Sequence, residues 1–175
     1  MDVFGLKKKT ADKFIKNRLQ NPVSRKKLKA GGIKTVGAVA DIDLFRNYDF
    51  TTKLTKELGL LPHQFSFVLL DPTSQEVNNL EDNEVFNEKS FGLYGKIKSP
   101  ALDDFISKEF DLLINYSSMD WTFTRVVLLR SNAKVIAGFE QEQDTIQDIS
   151  INVAANRMDA FHNELFKYLK IMKFT

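Results

Sequence analysis

Residues 110–139 read FDLLINYSSMDWTFTRVVLLRSNAKVIAGF, and their reading decides the fold. Phe110-Asp111-Leu112-Leu113-Ile114-Asn115 is a short aliphatic run of the kind a buried strand requires. Asp120 stands where a helix N-cap belongs. The spacing predicts a helix from Trp121 to about Asn132, with Trp121, Val127 or Leu128, and Leu129 facing inward. Lys134 to Phe139 is the next strand. Strand, helix and strand at these lengths form a β–α–β unit, so the two strands run parallel with a right-handed crossover.

The same alternation extends to both sides. Downstream, Ile149 to Val153 reads as a last strand, and Met158 to Met172 as a closing helix with Phe161, Leu165, Leu169 and Met172 in register. Upstream, Ser99-Pro100 opens a short helix through Lys108, and Phe91 to Ile97 reads as an edge strand. Residues 71–90 are acidic and aperiodic, which predicts a long mobile loop. Phe65 to Leu70 and Ile33 to Ala40 are strands, with a helix from Asp49 to Leu60 between them. The fold expected is α/β: an open, mostly parallel, Rossmann-like three-layer sheet of five or six strands.

Residues 3–20 form a different kind of segment. Val3, Phe4, Ala11, Phe14, Ile15 and Leu19 make one helical stripe edged by lysines, and Arg25-Lys26-Lys27-Leu28-Lys29 follows in a linker ending at Gly31-Gly32. Residues 1–34 hold 11 Lys or Arg against two Asp, leaving 14 basic against 21 acidic residues in the remainder. This split predicts a basic N-terminal helix and linker over 1–30 and a single α/β domain over 31–175. Through residues 3–29, the contacts expected are with a protein partner or an anionic polymer, made by Lys7, Lys8, Lys9, Lys13, Lys16, Arg25, Lys26 and Lys27.

Several chemistries are excluded or disfavoured by composition. The chain has no cysteine, so thiol catalysis, thiolate metal sites and disulfides are out, and a reducing cytoplasm is the expected location. No apolar run follows Lys7-Lys8-Lys9, and none elsewhere approaches membrane-spanning length, so neither a secretory signal nor a transmembrane helix is expected. Two histidines cannot build a histidine metal cluster, and His162, beside Phe161, is read as a half-buried packing residue. No glycine loop of the phosphate-binding kinds follows a strand, so no cofactor is expected. Gly37, Gly92, Gly95 and Gly138 read as close-packing positions.

In an open parallel sheet, ligands favour the carboxyl ends of the strands. Those ends carry Asp41 and Asp43, Asp71, Asn115 with Ser117 and Ser118, Glu140, and Asn156. Asp41, Asp43, Asp71 and Ser117 are the candidate catalytic residues, since a strand end can fix a carboxylate as nucleophile or Mg²⁺ ligand. Asp41-Ile42-Asp43 resembles the opening motif of the haloacid-dehalogenase-type phosphatases, with Ser117 closing a later strand where that family places a hydroxyl. The sequence departs from that family at Phe45, where a Thr or Val is usual. It offers only Glu140 and Asp144 for the late acidic pair.

Two further resemblances rest on the central segment. Phe110 to Tyr116, Ala133-Lys134-Val135 and Lys167-Tyr168-Leu169-Lys170 resemble an uncharacterised family of small bacterial cytoplasmic α/β proteins, which implies a fold but no activity. Phe110 to Ile114, Arg125 and Gly138-Phe139 also resemble part of the first Rossmann-type half of heptosyltransferase-like glycosyltransferases. The function expected is a non-catalytic binding or adaptor domain with a basic contact arm. The alternative is a small enzyme acting on a phosphorylated or sugar-like metabolite, phosphatase-like or glycosyltransferase-related, at the strand ends.

Overall fold

A computed structural model describes residues 2–73, 80, 82–141 and 145–175. The elements run α1 (Val3–Gln20), β1 (Val36–Asp41), α2 (Ile42–Asn47), α3 (Phe50–Leu58), β2 (Phe65–Leu70), β3 (Glu84–Phe86), α4 (Pro100–Ser107), β4 (Leu112–Asn115), α5 (Thr122–Arg130), β5 (Val135–Phe139), β6 (Ile149–Ile151) and α6 (Met158–Ile171). The six strands form one sheet in the order β3-β2-β1-β4-β5-β6, and every pairing is parallel. This is the Rossmann order, in which the chain winds outward from β1 in one direction and then from β4 in the other. No helix among the described residues is long and apolar enough to cross a membrane.

Local chemistry explains most of the boundaries. Asp2 accepts from the N–H groups of Phe4 (3.0 Å) and Gly5 (3.2 Å) to start α1. Asp49 does the same for α3 through Thr52, and Gly59, at φ 66°, ends that helix in the left-handed region. Ser99 caps α4 just before Pro100. The β4–α5–β5 unit is as read, with Leu112 opposite Val135 and Asn115 opposite Gly138.

Other readings need correction. Asp120 does not cap α5: Trp121 occupies the cap position without a side-chain bond, and the Asp120 carboxylate lies 4.0 Å from Arg125 instead. Residues 91–97 are no strand. Tyr94 (φ 55°) and Gly95 (φ 63°) fold this segment into a 3₁₀ turn, leaving a single antiparallel bridge between Phe91 and Ile97. The third strand lies inside the segment read as a loop, where Val85 and Phe86 are buried in β3. The mobility expected for 71–90 also fell on residues 74–79 and 81, which lie outside the described residues.

The sheet separates two apolar layers. One holds Phe50, Leu54, Tyr116, Phe161, Leu165 and Leu169 against α2, α3 and α6. The other holds Leu102, Phe105, Phe123, Val126 and Val127 against α4 and α5, and it includes Ala11 and Ile15 of α1. The seam between β1 and β4, where the winding reverses, needs its own lock. Gly37 supplies part of it, because a Cβ there would lie 2.7 Å from the Phe110 ring.

Asp111 supplies the rest. Its nearly buried carboxylate accepts from the N–H groups of Lys34 (2.8 Å) and Thr35 (3.1 Å), from the Thr35 hydroxyl (3.2 Å), and from Lys134 Nζ (2.7 Å). Burial raises its pKa, but the Lys134 ammonium, the Lys34 N–H and the Thr35 hydroxyl outweigh that and hold it below the ordinary carboxylate range. One side chain thus ties the beginnings of β1, β4 and β5. Asp111→Ala is expected to cost about 2 kcal/mol in urea unfolding, because it leaves the Lys34 and Thr35 N–H groups without their acceptor and Lys134 with only Glu109, 3.4 Å away. A loss below about 1 kcal/mol would contradict the assignment.

Candidate functional site at the β1–β4 switch

The winding reverses between β1 and β4, and in such sheets ligands favour the carboxyl ends of the strands at that point. Asp41 ends β1, and its Oδ2 accepts from the Ser118 N–H at 3.4 Å. Its Oδ1 is buried and has no hydrogen-bond partner among the described residues. Burial raises the Asp41 pKa, opposed by Ser117 and the Ser118 N–H and reinforced by Asp43.

Ser117, fully buried, is tied into a turn: its N–H donates to Asn115 Oδ1 (3.1 Å), and its hydroxyl accepts from the Met119 N–H (3.3 Å). The other candidates stand apart. Asp43 lies in the first turn of α2 with its side chain 89% exposed, 3.7 Å from Arg46. Asp71 accepts from the Thr73 N–H (3.0 Å) and the Thr73 hydroxyl, closing the turn after β2. Of the four residues, only Asp41 and Ser117 meet.

The adjoining strand ends are bridged by amides. Asn115 Nδ2 donates to Gln147 Oε1 at 3.3 Å, and Gln147 Nε2 donates to the Phe139 carbonyl at 2.9 Å. Beside them lies a cavity of about 20 Å³, lined by Asn115, Thr124, Arg125 and Gln147 among others. The buried Thr124 hydroxyl has no partner among the described residues, and the space is about that of one water. Glu140 and Asn156 are exposed, and Asp144 lies outside the described residues. Among the described residues, no three His, Asp or Glu side chains converge as a metal would require.

A polar cluster that the sequence did not reveal lies on the other face. His162 is fully buried, not half-buried, and both ring nitrogens are engaged. Tyr116 donates its hydroxyl to Nε2 at 2.7 Å, and Nδ1 lies 3.0 Å from the Tyr48 hydroxyl, which in turn donates to Asp159 at 2.9 Å. These bonds select the neutral Nδ1–H tautomer. Helical spacing pointed to an inward side chain, but nothing in the sequence paired His162 with tyrosines 46 and 114 positions away.

Burial, with Lys53 adding to it, lowers the His162 pKa to about 4. The unfolded chain therefore binds the extra proton first, between about pH 6.5 and pH 4. Stability is full above that window and is expected to fall by about 3 kcal/mol as pH drops through it. Asp41, with a raised pKa, acts in the opposite sense as pH rises out of the ordinary carboxylate range. Comparing urea midpoints from pH 4 to 7 tests the histidine: His162→Gln should flatten the profile, and an unchanged slope would reject it. Asp41→Asn should leave stability at pH 7 equal or raise it by about 1 kcal/mol, because it removes a charge that burial disfavours. A marked loss would show that the charge is needed.

No curated protein and no solved structure matches the chain. Residues 7–172 match a family of unknown function (DUF6913), a span that takes in the sheet, α5, α6 and all but the first turn of α1. The chain belongs to that family.

Proposed function

We propose that this protein is a non-catalytic binding domain whose contact surface is the outer face of α1. One observation carries the reading: α1 is docked by one side and leaves its lysines on the other. Thr10, Ala11 and Ile15 are buried, the Tyr94 N–H donates to the Thr10 hydroxyl (3.0 Å), Thr122 donates to Asp12 (3.2 Å), and Arg130 lies 4.2 Å over the Phe14 ring. Lys8, Lys9, Lys13 and Lys16 face solvent, with no carboxylate within 4.0 Å among the described residues. Four such cations on a rigid helix suit an anionic polymer or the acidic face of a protein.

The contact set is smaller than the sequence suggested. Lys7 reaches the Glu88 carbonyl (3.5 Å), Arg25 pairs with Asp148 (2.8 Å), and Lys26 pairs with Glu109. Lys27 is exposed and remains available. On this reading α1 and the sheet act as one unit rather than as an arm (1–30) beside a domain (31–175). A cytoplasmic setting goes with it, supported by the cysteine-free sequence.

A second reading keeps the alternative alive on one feature, the unpartnered buried oxygen of Asp41 at the switch point. It describes a small enzyme acting on a phosphorylated or sugar-like metabolite, and hydrolysis of generic phosphate esters with Mg²⁺ tests its phosphatase form. Equal rates for the native protein and Asp41→Asn would end it. The bacterial origin and the glycosyltransferase likeness rest on resemblance alone, the latter on packing residues of β4, α5 and β5.

The leading reading is tested by the salt dependence of binding to a single-stranded RNA homopolymer. Lys8→Glu with Lys13→Glu should leave folding intact, and should lower the slope of log affinity against log salt by roughly 0.7 for each phosphate no longer neutralised. An unchanged slope, or no binding by the native protein to RNA or to an acidic polypeptide, would contradict it.

A further inference from the structure

Helices accompany the crossovers from β1 to β2, from β3 to β4 and from β4 to β5. Helix α5 covers the step from β4 to β5, whereas β5 and β6 are joined by residues 140–148, in which the described residues contain no helix. On that face of the sheet Ile136 is buried, but Ser150 of β6, the partner of Gly138, is exposed. The gap is bridged from outside by the extended segment after α1. Arg25 pairs with Asp148, which also accepts from the Ile136 N–H (2.8 Å), Lys26 pairs with Glu109, and the Gly31 N–H donates to the Lys173 carbonyl (2.7 Å).

This strap spans the gap without filling it. Beneath it lies a cleft of about 560 Å³ between the end of α1, the strap, α5 and the start of β5. That size is within the usual range for small-molecule sites. Its walls are of two kinds. Leu19, Val23, Leu128, Leu129, Ile136 and Ile146 are apolar, while Arg18, Arg25, Lys26 and Glu109 bring charge to the rim.

The charges do not balance. Arg25 and Lys26 are each matched by one carboxylate, Asp148 and Glu109. Arg18 has no carboxylate within 4.0 Å among the described residues, and Arg25 Nη1 is buried with no hydrogen-bond partner among them. A surplus of one positive charge, on Arg18, beside an apolar wall fits a monoanion with an apolar body. A carboxylate suits it better than a phosphate dianion, which brings one negative charge too many.

We infer that the cleft beneath the 22–26 strap binds an amphipathic carboxylate, its head held by Arg18 and its chain lying along Leu19, Leu128, Leu129 and Ile136. The site is separate from the outer face of α1 and independent of what that face contacts. Arg25 closes the strap through Nη2 on Asp148.

The probe is decanoate, kept below its micelle concentration, titrated into the intact protein with backbone amide NMR as the readout. Decanol and decylammonium are the controls. Saturable shifts at Leu19, Val23, Leu128 and Ile136 with decanoate alone are expected. Arg18→Met should weaken binding about tenfold, the loss of one charged hydrogen bond. Ala133→Phe should block the cleft from its floor. Val23→Trp, on the exposed strap, gives the same test without disturbing the core. Equal binding of decanol, shifts that map elsewhere, or no saturable shift would each overturn the assignment. Loss of decanoate binding in Val23→Trp, with RNA binding unchanged, would separate this site from the helix face.

Discussion

The Asp111 carboxylate is the constraint on which the sheet depends. Every other pair of neighbouring strands is consecutive in the chain, but β1 and β4 meet where the winding reverses, with β2 and β3 intervening in sequence. Their register has no short loop to set it. Asp111 sets it by gathering the Lys34 and Thr35 N–H groups and the Lys134 ammonium at the start of the seam. A carboxylate with this many donors holds its charge in spite of burial. At the far end of the same seam, Asp41 meets one N–H and keeps an unpartnered oxygen. The two aspartates show why one end of the seam is structural and the other is where a ligand site would be sought.

The position of α1 follows from the layer that Asp111 helps to organise. With β4 and β5 in register, α5 presents Val126 and Val127 inward and leaves Thr122 and Arg130 to meet α1. The helix contributes Ala11 and Ile15 to the core, so Lys8, Lys9, Lys13 and Lys16 point outward. The charge asymmetry of the sequence is therefore resolved in two ways. Part of it is consumed internally, where Arg25 and Lys26 close the strap, and part is displayed on a rigid surface. The same strap lies where the described residues between β5 and β6 contain no helix, and a cleft remains under it.

How much of this was legible depended on whether the signal was local. The β4–α5–β5 topology, α1 and β2 follow from short-range periodicity, and they stand as read. Strand β3 did not, because three residues among acidic neighbours carry too little periodicity and gain their burial from pairing with β2. Residues 91–97 looked like a strand because their apolar pattern is right, but a left-handed Tyr94-Gly95 pair turns the chain back. At the switch, proximity of Asp41 to Ser117 followed from topology. The separation of Asp43 and Asp71 did not, since α2 begins at once after β1 and Asp71 turns to its own loop. The His162 cluster joins three segments distant in sequence, and no single-sequence signal reports that.

The central claim is that the contact surface is the outer face of a helix that stays docked. Amide hydrogen exchange across Thr10 to Arg18 in the intact chain, with and without a single-stranded RNA homopolymer, tests it most directly. The account predicts protection comparable to that of β1 in both conditions, with only the outer lysine side chains responding to the polymer. Exchange at the rate of a free peptide, or loss of protection when the polymer is added, would show that the helix detaches to bind and would contradict the account.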